Sequence, residues 1–182
     1  NTTEMSPARA SAWRMRTLRS LEPAHAVPMS SSHSSPRLAF PPSPFARLSA
    51  VSDYETSRTR LAVHVPRRDV FLTRVVGHVD RDAAERIVAA LARPIELGVS
   101  PRVWHDWDRV TRCDADACQL FLRFIRDARA SVRHIAILAC SEPVSGEIAL
   151  VERGAALGGV PIVRHPDRGA FEGELMHALE TP

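Results

Sequence analysis

Residue types that do chemistry in proteins are concentrated in one stretch of this sequence, residues 102–117. The stretch contains carboxylates at Asp106, Asp108 and Asp114, and a thiol at Cys113. Two carboxylates can work as general acid and base, a thiolate is a nucleophile, and carboxylate, imidazole and thiolate groups all bind metal ions. We therefore expect any functional site to lie in this stretch.

A metal site here would draw on imidazole, carboxylate and thiol groups, at His105, Asp106, Asp108, Cys113, Asp114 and Cys118. Successive residues of a strand point to opposite faces, so His105 and Asp106 cannot both bind one ion. The three cysteines, at positions 113, 118 and 140, have neither the spacing of a CxxC pair nor that of a zinc ribbon. We expect no metal ion and no other cofactor.

Catalysis by Cys113 would need a nearby base, which His78 or His105 would have to supply. The alternative is a half-buried cysteine that packs against the first turn of a helix, and we favour that interpretation. Nor does the sequence supply the rest of a catalytic site around the carboxylates of Asp106 and Asp114. We expect Asp114 to cap a helix and Asp106 to accept backbone N–H groups of the following loop, and we predict no catalytic residue.

The same stretch is predicted to form a strand, a short polar loop and the start of a helix. The strand begins at Arg102 and turns acidic at Asp106, and the helix extends to Arg129. The helix has apolar residues at the spacing of one buried face, Ala117, Leu120, Phe121, Phe124, Ile125 and Ala128. Asp114 lies at the N-cap position, and Asp116 lies in the first turn, where the helix dipole favours negative charge. Ligands of open α/β sheets gather at the carboxyl ends of strands, which is where this loop is predicted.

Further strands are predicted on both sides of this stretch. Two strands at 60–65 and 70–76 form a hairpin, and later strands follow at 135–139 and 160–163. The continuous apolar run at 135–139 is typical of a central strand that is covered on both faces. Pro161 has no N–H to donate, which places the last strand at an edge of the sheet.

Three further helices are predicted between and after these strands. The first begins with Asp82 as its N-cap and is stopped by Pro94, the second covers residues 142–152, and the last begins after the capping residue Asp167. After the opening hairpin, helices therefore alternate with strands. This order predicts an α/β fold, with one mixed sheet of about five strands and about four helices packed on it.

Composition divides the chain at residue 56. Residues 1–56 carry a run of serines and closely spaced prolines, and we expect a disordered tail, with an organelle transit peptide as the less favoured alternative. Residues 57–182 are expected to form one domain. The net charge of +3 is weak support for a nucleic-acid partner, and we expect none. No apolar run is long enough to span a membrane, and an odd cysteine count without a clear secretory signal predicts reduced thiols in the cytoplasm.

Several short motifs, taken in their order along the chain, resemble those of STAS domains, the fold of bacterial anti-sigma-factor antagonists and of the cytoplasmic tails of sulfate transporters. A hairpin leads to a strand that ends in Gly77-His-Val-Asp80, a central strand ends in Asp106, and a second acid opens a helix in Asp114-Ala-Asp-Ala117. The resemblance covers roughly residues 57–180 and is to a divergent, stand-alone bacterial group. It implies a STAS-like fold and a regulatory role that depends on a protein partner, such as a regulatory kinase-like or sigma-pathway protein.

The chain departs from the STAS pattern at the residue that the family phosphorylates. The resemblance places the phosphoacceptor Ser or Thr on Ala115, which has no hydroxyl, and the family's Gly on Ala117. A phosphorylation switch adds about two negative charges at a helix start, and this position cannot accept them. We therefore predict a non-enzymatic protein-interaction module that binds its partner without this switch. The expected partner-facing residues are Asp106, Trp107, Asp108, Asp114, Ala115 and Asp116.

Two further expectations separate a protein partner from a small ligand. Trp104 and Trp107 lie on opposite faces of the predicted strand, so we expect one in the core and the other partly exposed as an anchor for a partner. The alternative function is a small-ligand-binding protein or minor enzyme that uses the site formed by residues 106–118. A ligand site needs a concavity of several hundred cubic ångströms with converging polar groups, whereas a protein-binding surface is nearly flat.

Overall fold

The computed structural model describes residues 38–139 and 144–181. These residues form six strands, β1 (Ala50–Glu55), β2 (Thr59–Arg67), β3 (Val70–Val79), β4 (Arg102–Cys113), β5 (His134–Leu138) and β6 (Ile162–His165). They also form four α-helices, α1 (Arg81–Glu96), α2 (Ala115–Ala128), α3 (Ser145–Gly158) and α4 (Arg168–Glu180). The predicted α/β fold with one mixed sheet is confirmed, with six strands in place of about five.

The strands lie in the sheet in the order in which they occur along the chain. β1, β2 and β3 are antiparallel neighbours, and β3 to β6 are parallel. Parallel neighbours need a crossover connection, and α1, α2 and α3 provide the three that are required. β6 is at one edge of the sheet and β5 is internal, as Pro161 and the apolar run at 135–139 predicted.

Helices cover the two faces of the sheet unequally. α1, α2 and α3 pack on one face, where their apolar residues form the larger core with alternate residues of the strands. α4 packs on the other face together with a short 3₁₀ helix, Pro44–Arg47. The smaller core on this face consists of Phe45, Val70, Leu72, Trp104, Ala136, Leu138, Phe171, Leu175 and Ala178. Because both faces are covered, every residue of β5 after His134 is buried.

The sixth strand, β1, lies within the segment that composition assigned to the disordered tail. Its alternate residues Val51, Asp53 and Glu55 are exposed, so the strand has no apolar pattern that could have predicted it. Antiparallel backbone pairing with β2 holds it instead, and such pairing does not depend on side-chain type. The folded part therefore begins before residue 57, whereas the predicted disorder of residues 1–37 lies outside the described residues.

The ends of α1 and α3 differ from those predicted. Asp80, not Asp82, caps α1, because its side chain accepts a hydrogen bond from the N–H of Ala83 at 2.9 Å. The helix also includes Pro94 in its last turn, where few backbone bonds remain to be lost. α3 does not end at residue 152 but continues to Gly158, and Gly159 follows it as the C-cap in the left-handed conformation, with a φ of 73°.

β4, the strand predicted to begin at Arg102, is longer than predicted. It includes the residues that were expected to form a polar loop. It continues through Asp108 to Cys113, because residues beyond Asp106 remain paired with the second half of β3. Two register shifts interrupt this pairing, and near the second of them Gly77 has a φ of 87°. A Cβ atom at Gly77 would overlap the carbonyl oxygen of Arg58, so only glycine fits there.

Candidate functional site

The structure divides the predicted site residues between two places. Asp106 and Asp108 lie in the middle of β4, on the face of the sheet that α4 covers. Asp114, Ala115 and Asp116 lie beyond the end of β4, at the start of α2. The separation follows from the length of β4, because five strand residues, 109–113, come between the two groups of acids. The structure therefore does not bring the predicted site residues together in one place, and their role in binding stays a prediction.

Asp106 is the centre of a buried ion-pair cluster and is 4% exposed. The guanidinium of Arg168 donates two hydrogen bonds of 3.0 Å, one to each carboxylate oxygen of Asp106, and the Nε of Arg74 lies 3.4 Å from Oδ2. Arg168 also donates to Asp108 at 3.1 Å and to Glu172 at 3.4 Å. Asp106 therefore faces arginine side chains, not a partner and not the backbone of a following loop, and both earlier expectations for it are corrected.

The pKa values of the two arginines reflect this environment. Burial lowers the pKa of Arg74, against the opposing effect of the nearby Asp106 carboxylate. Burial acts in the same direction on Arg168, but hydrogen bonds to Asp106 and Asp108 outweigh it and leave the pKa of Arg168 raised. A guanidinium with three carboxylate partners is a fixed counter-ion, and its geometry positions the first turn of α4 on β4.

Asp114 occupies the N-cap position of α2, as predicted, but its side chain makes no capping hydrogen bond. Its Oδ1 lies 2.9 Å from Nε2 of His78 and 3.3 Å from Nε of Arg112. The contact with His78, with a smaller contribution from Arg112, lowers the pKa of Asp114. Its backbone N–H donates to the carbonyl of Val79 at 3.0 Å, so the end of β3 and the start of α2 are held together at this residue.

Ala115 and Asp116 form the exposed part of the surface where the end of β3 meets the start of α2, here named the corner. Both residues are exposed and belong to the first turn of α2. Asp116 lies where the helix dipole favours a negative charge. This corner presents a carboxylate and a methyl group to the solvent, on a helix whose start is fixed by the contacts of Asp114 with β3.

The thiols of Cys113 and Cys118 face each other inside the protein. Both residues are buried, and their sulfur atoms are 3.2 Å apart. The hydrogen bond between them, together with burial, raises the pKa of Cys113, and the same hydrogen bond lowers that of Cys118. Of the two proposed bases, His78 contacts Asp114, and His105 contacts Thr73 through its Nδ1 at 2.6 Å. The favoured interpretation of Cys113 as a packing residue fits these contacts, although it is more deeply buried than predicted.

The two tryptophans lie on opposite faces of β4, as predicted, but neither is exposed. Trp104 is 1% exposed and belongs to the smaller core, with its ring 5.5 Å from that of His134. Trp107 is 4% exposed and packs on Phe121 at 5.5 Å between ring centroids. The expected partner anchor is therefore wrong at Trp107, because helices cover both faces of the strand.

The basic side chains that contact Asp106 and Asp114 were not identified from the sequence. Arg74 is the one charged residue in β3, and a single charge inside an apolar strand was a signal that it is buried beside a counter-ion. Arg168 follows the capping residue Asp167 and gave no local signal, since its main partner is 62 residues away. His78 was considered only as a base for Cys113.

A groove of about 330 Å³ lies alongside the second half of β4. It is lined by Leu38, Val76, Gly77, Asp108, Arg109, Val110 and Thr111. Its size is that expected of a small-ligand site, but the carboxylate of Asp108 is engaged by Arg168 and the rest of the lining is largely apolar. Within residues 38–139 and 144–181, no three His, Cys, Asp or Glu side chains are grouped so that they could hold a metal ion. No helix in these ranges has the length and apolarity needed to cross a membrane.

No family model and no curated protein matches the chain. Among solved structures, the anti-sigma factor antagonist SpoIIAA in its unphosphorylated form is 20% identical, with a TM-score of 0.46, and covers 63% of this chain and 95% of its own. An uncharacterized protein from Shewanella loihica with a SpoIIAA-like fold is 12% identical, with a TM-score of 0.46 over 70% and 98% of the two chains. An anti-sigma factor antagonist from Mycobacterium paratuberculosis is 14% identical, with a TM-score of 0.45 over 68% and 95%.

Proposed function

We propose that this protein is a non-enzymatic regulatory module that binds a protein partner through the first turn of α2. The observation that carries the proposal is the exposure of Ala115 and Asp116 beside Asp114, whose position is fixed by His78 and Arg112. A binding surface held on a helix start and two strand ends keeps its shape without a partner, which reduces the entropic cost of association.

The proposed partner binds without a phosphorylation switch at this corner. Ala115 offers no hydroxyl to a kinase, and Asp116 already supplies a negative charge in the first helical turn. Arg112 lies beside the carboxylate of Asp114 and His78 contacts it, so Asp116 is the main exposed acid of the corner. The complementary partner surface is therefore basic or rich in hydrogen-bond donors. We place the protein in the cytoplasm, where the facing thiols of Cys113 and Cys118 would stay reduced.

Titration calorimetry with a partner recovered by pull-down tests this proposal. Asp116→Arg is expected to weaken binding at least about tenfold, because it reverses the charge at the centre of the surface. Asp127→Arg is the matched control, since Asp127 is an exposed acid at the opposite end of the same helix and should leave affinity unchanged. Ala115→Ser should also leave affinity unchanged when no kinase is present.

Two outcomes would contradict the proposal. Equal affinity for the wild type and Asp116→Arg would place the interface elsewhere on the molecule. Phosphorylation of the exposed Thr111, if it changed affinity for the partner, would mean that a switch exists at a neighbouring position of β4.

The groove beside β4 favours a second candidate function, the binding of a small ligand. Its volume of about 330 Å³ is the supporting observation. A ligand there would meet aliphatic side chains such as Leu38 and Val76, so an apolar compound would suit it best. Saturable binding of an apolar fluorescent probe, weakened by Val76→Asp but not by Asp127→Arg, would support this function over the first.

A further inference from the structure

Residues 38–48, here named the strap, cross the face of the sheet that α4 leaves partly uncovered. The strap has the sequence LAFPPSPFARL, with prolines at positions 41, 42 and 44. Leu38, Phe40 and Phe45 are turned toward the protein, whereas Ala39, Pro42 and Pro44 are exposed. Composition assigned this segment to a disordered tail, yet it contains a 3₁₀ helix, Pro44–Arg47, and its residues make side-chain contacts with β2 and β3.

The first of these contacts is made by two arginines of the sheet to the ring of Phe40. The guanidinium carbon of Arg60 in β2 lies 4.7 Å from the ring centroid, and that of Arg74 in β3 lies 4.8 Å from it. A cation within about 6 Å of an aromatic centroid is attracted to the ring face. Two cations on one ring make an aromatic side chain the preferred occupant of this position.

The same two arginines also hold the backbone of the strap. Nη1 of Arg60 donates to the carbonyl of Leu38 at 3.0 Å, and Nη2 of Arg74 donates to the carbonyl of Pro41 at 2.6 Å. Carbonyl acceptors are present in any peptide, including one in which prolines remove the N–H donors. The arginines therefore hold a proline-containing backbone by the carbonyls on the two sides of Phe40, in the part of the strap that precedes the 3₁₀ helix Pro44–Arg47.

A second aromatic residue anchors the other end of the strap. Phe45 is 4% exposed and belongs to the smaller core with Val70, Leu72 and Trp104. The strap thus uses two ring pockets, two carbonyl contacts and three prolines, without pairing to any strand as a further β-strand. Its second ring belongs to a 3₁₀ helix, Pro44–Arg47, that Ser43 caps. Peptide-binding domains likewise recognise proline-rich segments by a proline-restricted backbone that meets an aromatic or cationic surface.

We propose that this face of β2 and β3 is a docking site for a proline-rich segment of a partner protein with an aromatic residue between two carbonyl acceptors, and that the strap occupies it in cis. The strap's own sequence defines the chemistry of the competing segment. The strap is part of the same chain and therefore acts at a high effective concentration. A free peptide with the same intrinsic affinity for the site cannot displace it in the wild type. The site is separate from the first turn of α2, and its existence does not depend on the function proposed for that corner.

A labelled peptide with the sequence of residues 38–48 tests the docking site in the full-length chain. Fluorescence anisotropy is expected to show binding to the Phe40→Ala variant at least about tenfold tighter than to the wild type, because the variant's own strap is weakened. Val51→Ala is the control protein, since Val51 is 63% exposed on the adjacent strand β1. A peptide with Ala in place of Phe40 should bind neither protein.

Arginine variants in the Phe40→Ala background test the receptor side. Arg60→Gln should reduce peptide affinity about tenfold by removing a cation and a carbonyl donor. Arg112→Gln removes the same charge from an exposed position on β4, outside the strap contacts, and should have no effect.

The proposal is overturned if folded Phe40→Ala binds the peptide no better than the wild type does. Equal binding of the peptide that lacks the phenylalanine ring would overturn it as well. If circular dichroism shows that Phe40→Ala does not fold, Phe40→Leu replaces it, because leucine keeps the apolar bulk and loses the attraction to the two cations. The same two comparisons then decide the result.

Discussion

Asp106 shows how a residue with the right chemistry for a site can have a structural role. It is 4% exposed and is the shared partner of Arg74 and Arg168. Asp106→Ala would leave Arg74, itself 3% exposed, without its carboxylate partner. Removing one member of a buried ion pair typically costs about 3–5 kcal/mol, so this variant should be strongly destabilised.

Equilibrium unfolding in urea measures this loss. Asp127→Ala is the control, and its free energy of unfolding should change by less than about 0.5 kcal/mol because Asp127 is exposed. A similar small change for Asp106→Ala would mean that the cluster stabilises nothing, and that Asp106 is available for another role.

His105 makes the stability of the fold depend on pH. Burial lowers its pKa from 6.5 to about 4. Between these two values the unfolded chain binds a proton that the folded protein excludes, so stability falls as the pH decreases. From this group alone, the free energy of unfolding should be about 2 kcal/mol lower near pH 5 than near pH 7.5.

Urea titrations at the two pH values, compared between variants, isolate this contribution. In the His105→Gln variant, most of this difference in the free energy of unfolding between the two pH values should disappear. In the His177→Gln variant the difference should remain, because His177 is exposed on α4. An unchanged pH dependence in His105→Gln would show that other groups are responsible.

At the scale of the element, α2 follows the periodicity of its sequence, but its face is not buried evenly. Phe121 is 6% exposed and packs on Trp107, whereas Phe124 is only half-buried. Phe121→Ala should therefore cost about 3–5 kcal/mol, the usual range for a buried ring. Phe124→Ala should cost clearly less, and the exposed Arg126→Ala less than about 0.5 kcal/mol.

Thermal melts of the three variants give this order directly. A larger loss of stability for Phe124→Ala than for Phe121→Ala would mean that α2 is rotated about its axis relative to the sheet. The order also tests the larger core as a whole, since Phe121 connects α2 to β4.

At the scale of the whole molecule, the position at which the folded part begins is the main change from the sequence-based prediction. The strap and β1 are both held by contacts to β2, so limited digestion with trypsin should leave a stable fragment that begins near Leu38. Amino-terminal sequencing of the fragment identifies its first residue. A fragment that begins between Asp53 and Arg60, as a tail of 56 residues predicted, would contradict the contacts of the strap.

The strap lies on the face of the sheet that has less helical cover. Three helices cover one face of the sheet, and α4 and the short 3₁₀ helix cover part of the other. The area beside α4 contains the charged residues Arg60 and Arg74, which a packed helix with an apolar face could not satisfy. The strap contacts both arginines, because its backbone carbonyls at Leu38 and Pro41 accept their hydrogen bonds.

The sequence by itself determined the elements whose burial leaves a local pattern. The period of α2, the cap at Asp167, the central run at 135–139 and Pro161 each record a local property of the backbone or of one buried face, and each prediction is confirmed. Only the tertiary structure decided which distant groups meet. Arg168 reaches Asp106 across 62 residues. β1 is held by backbone pairing that leaves no mark in side-chain type. The predicted site was divided because backbone pairing with β3 extends β4 past its acids, and a polar stretch in the sequence does not reveal such a partner.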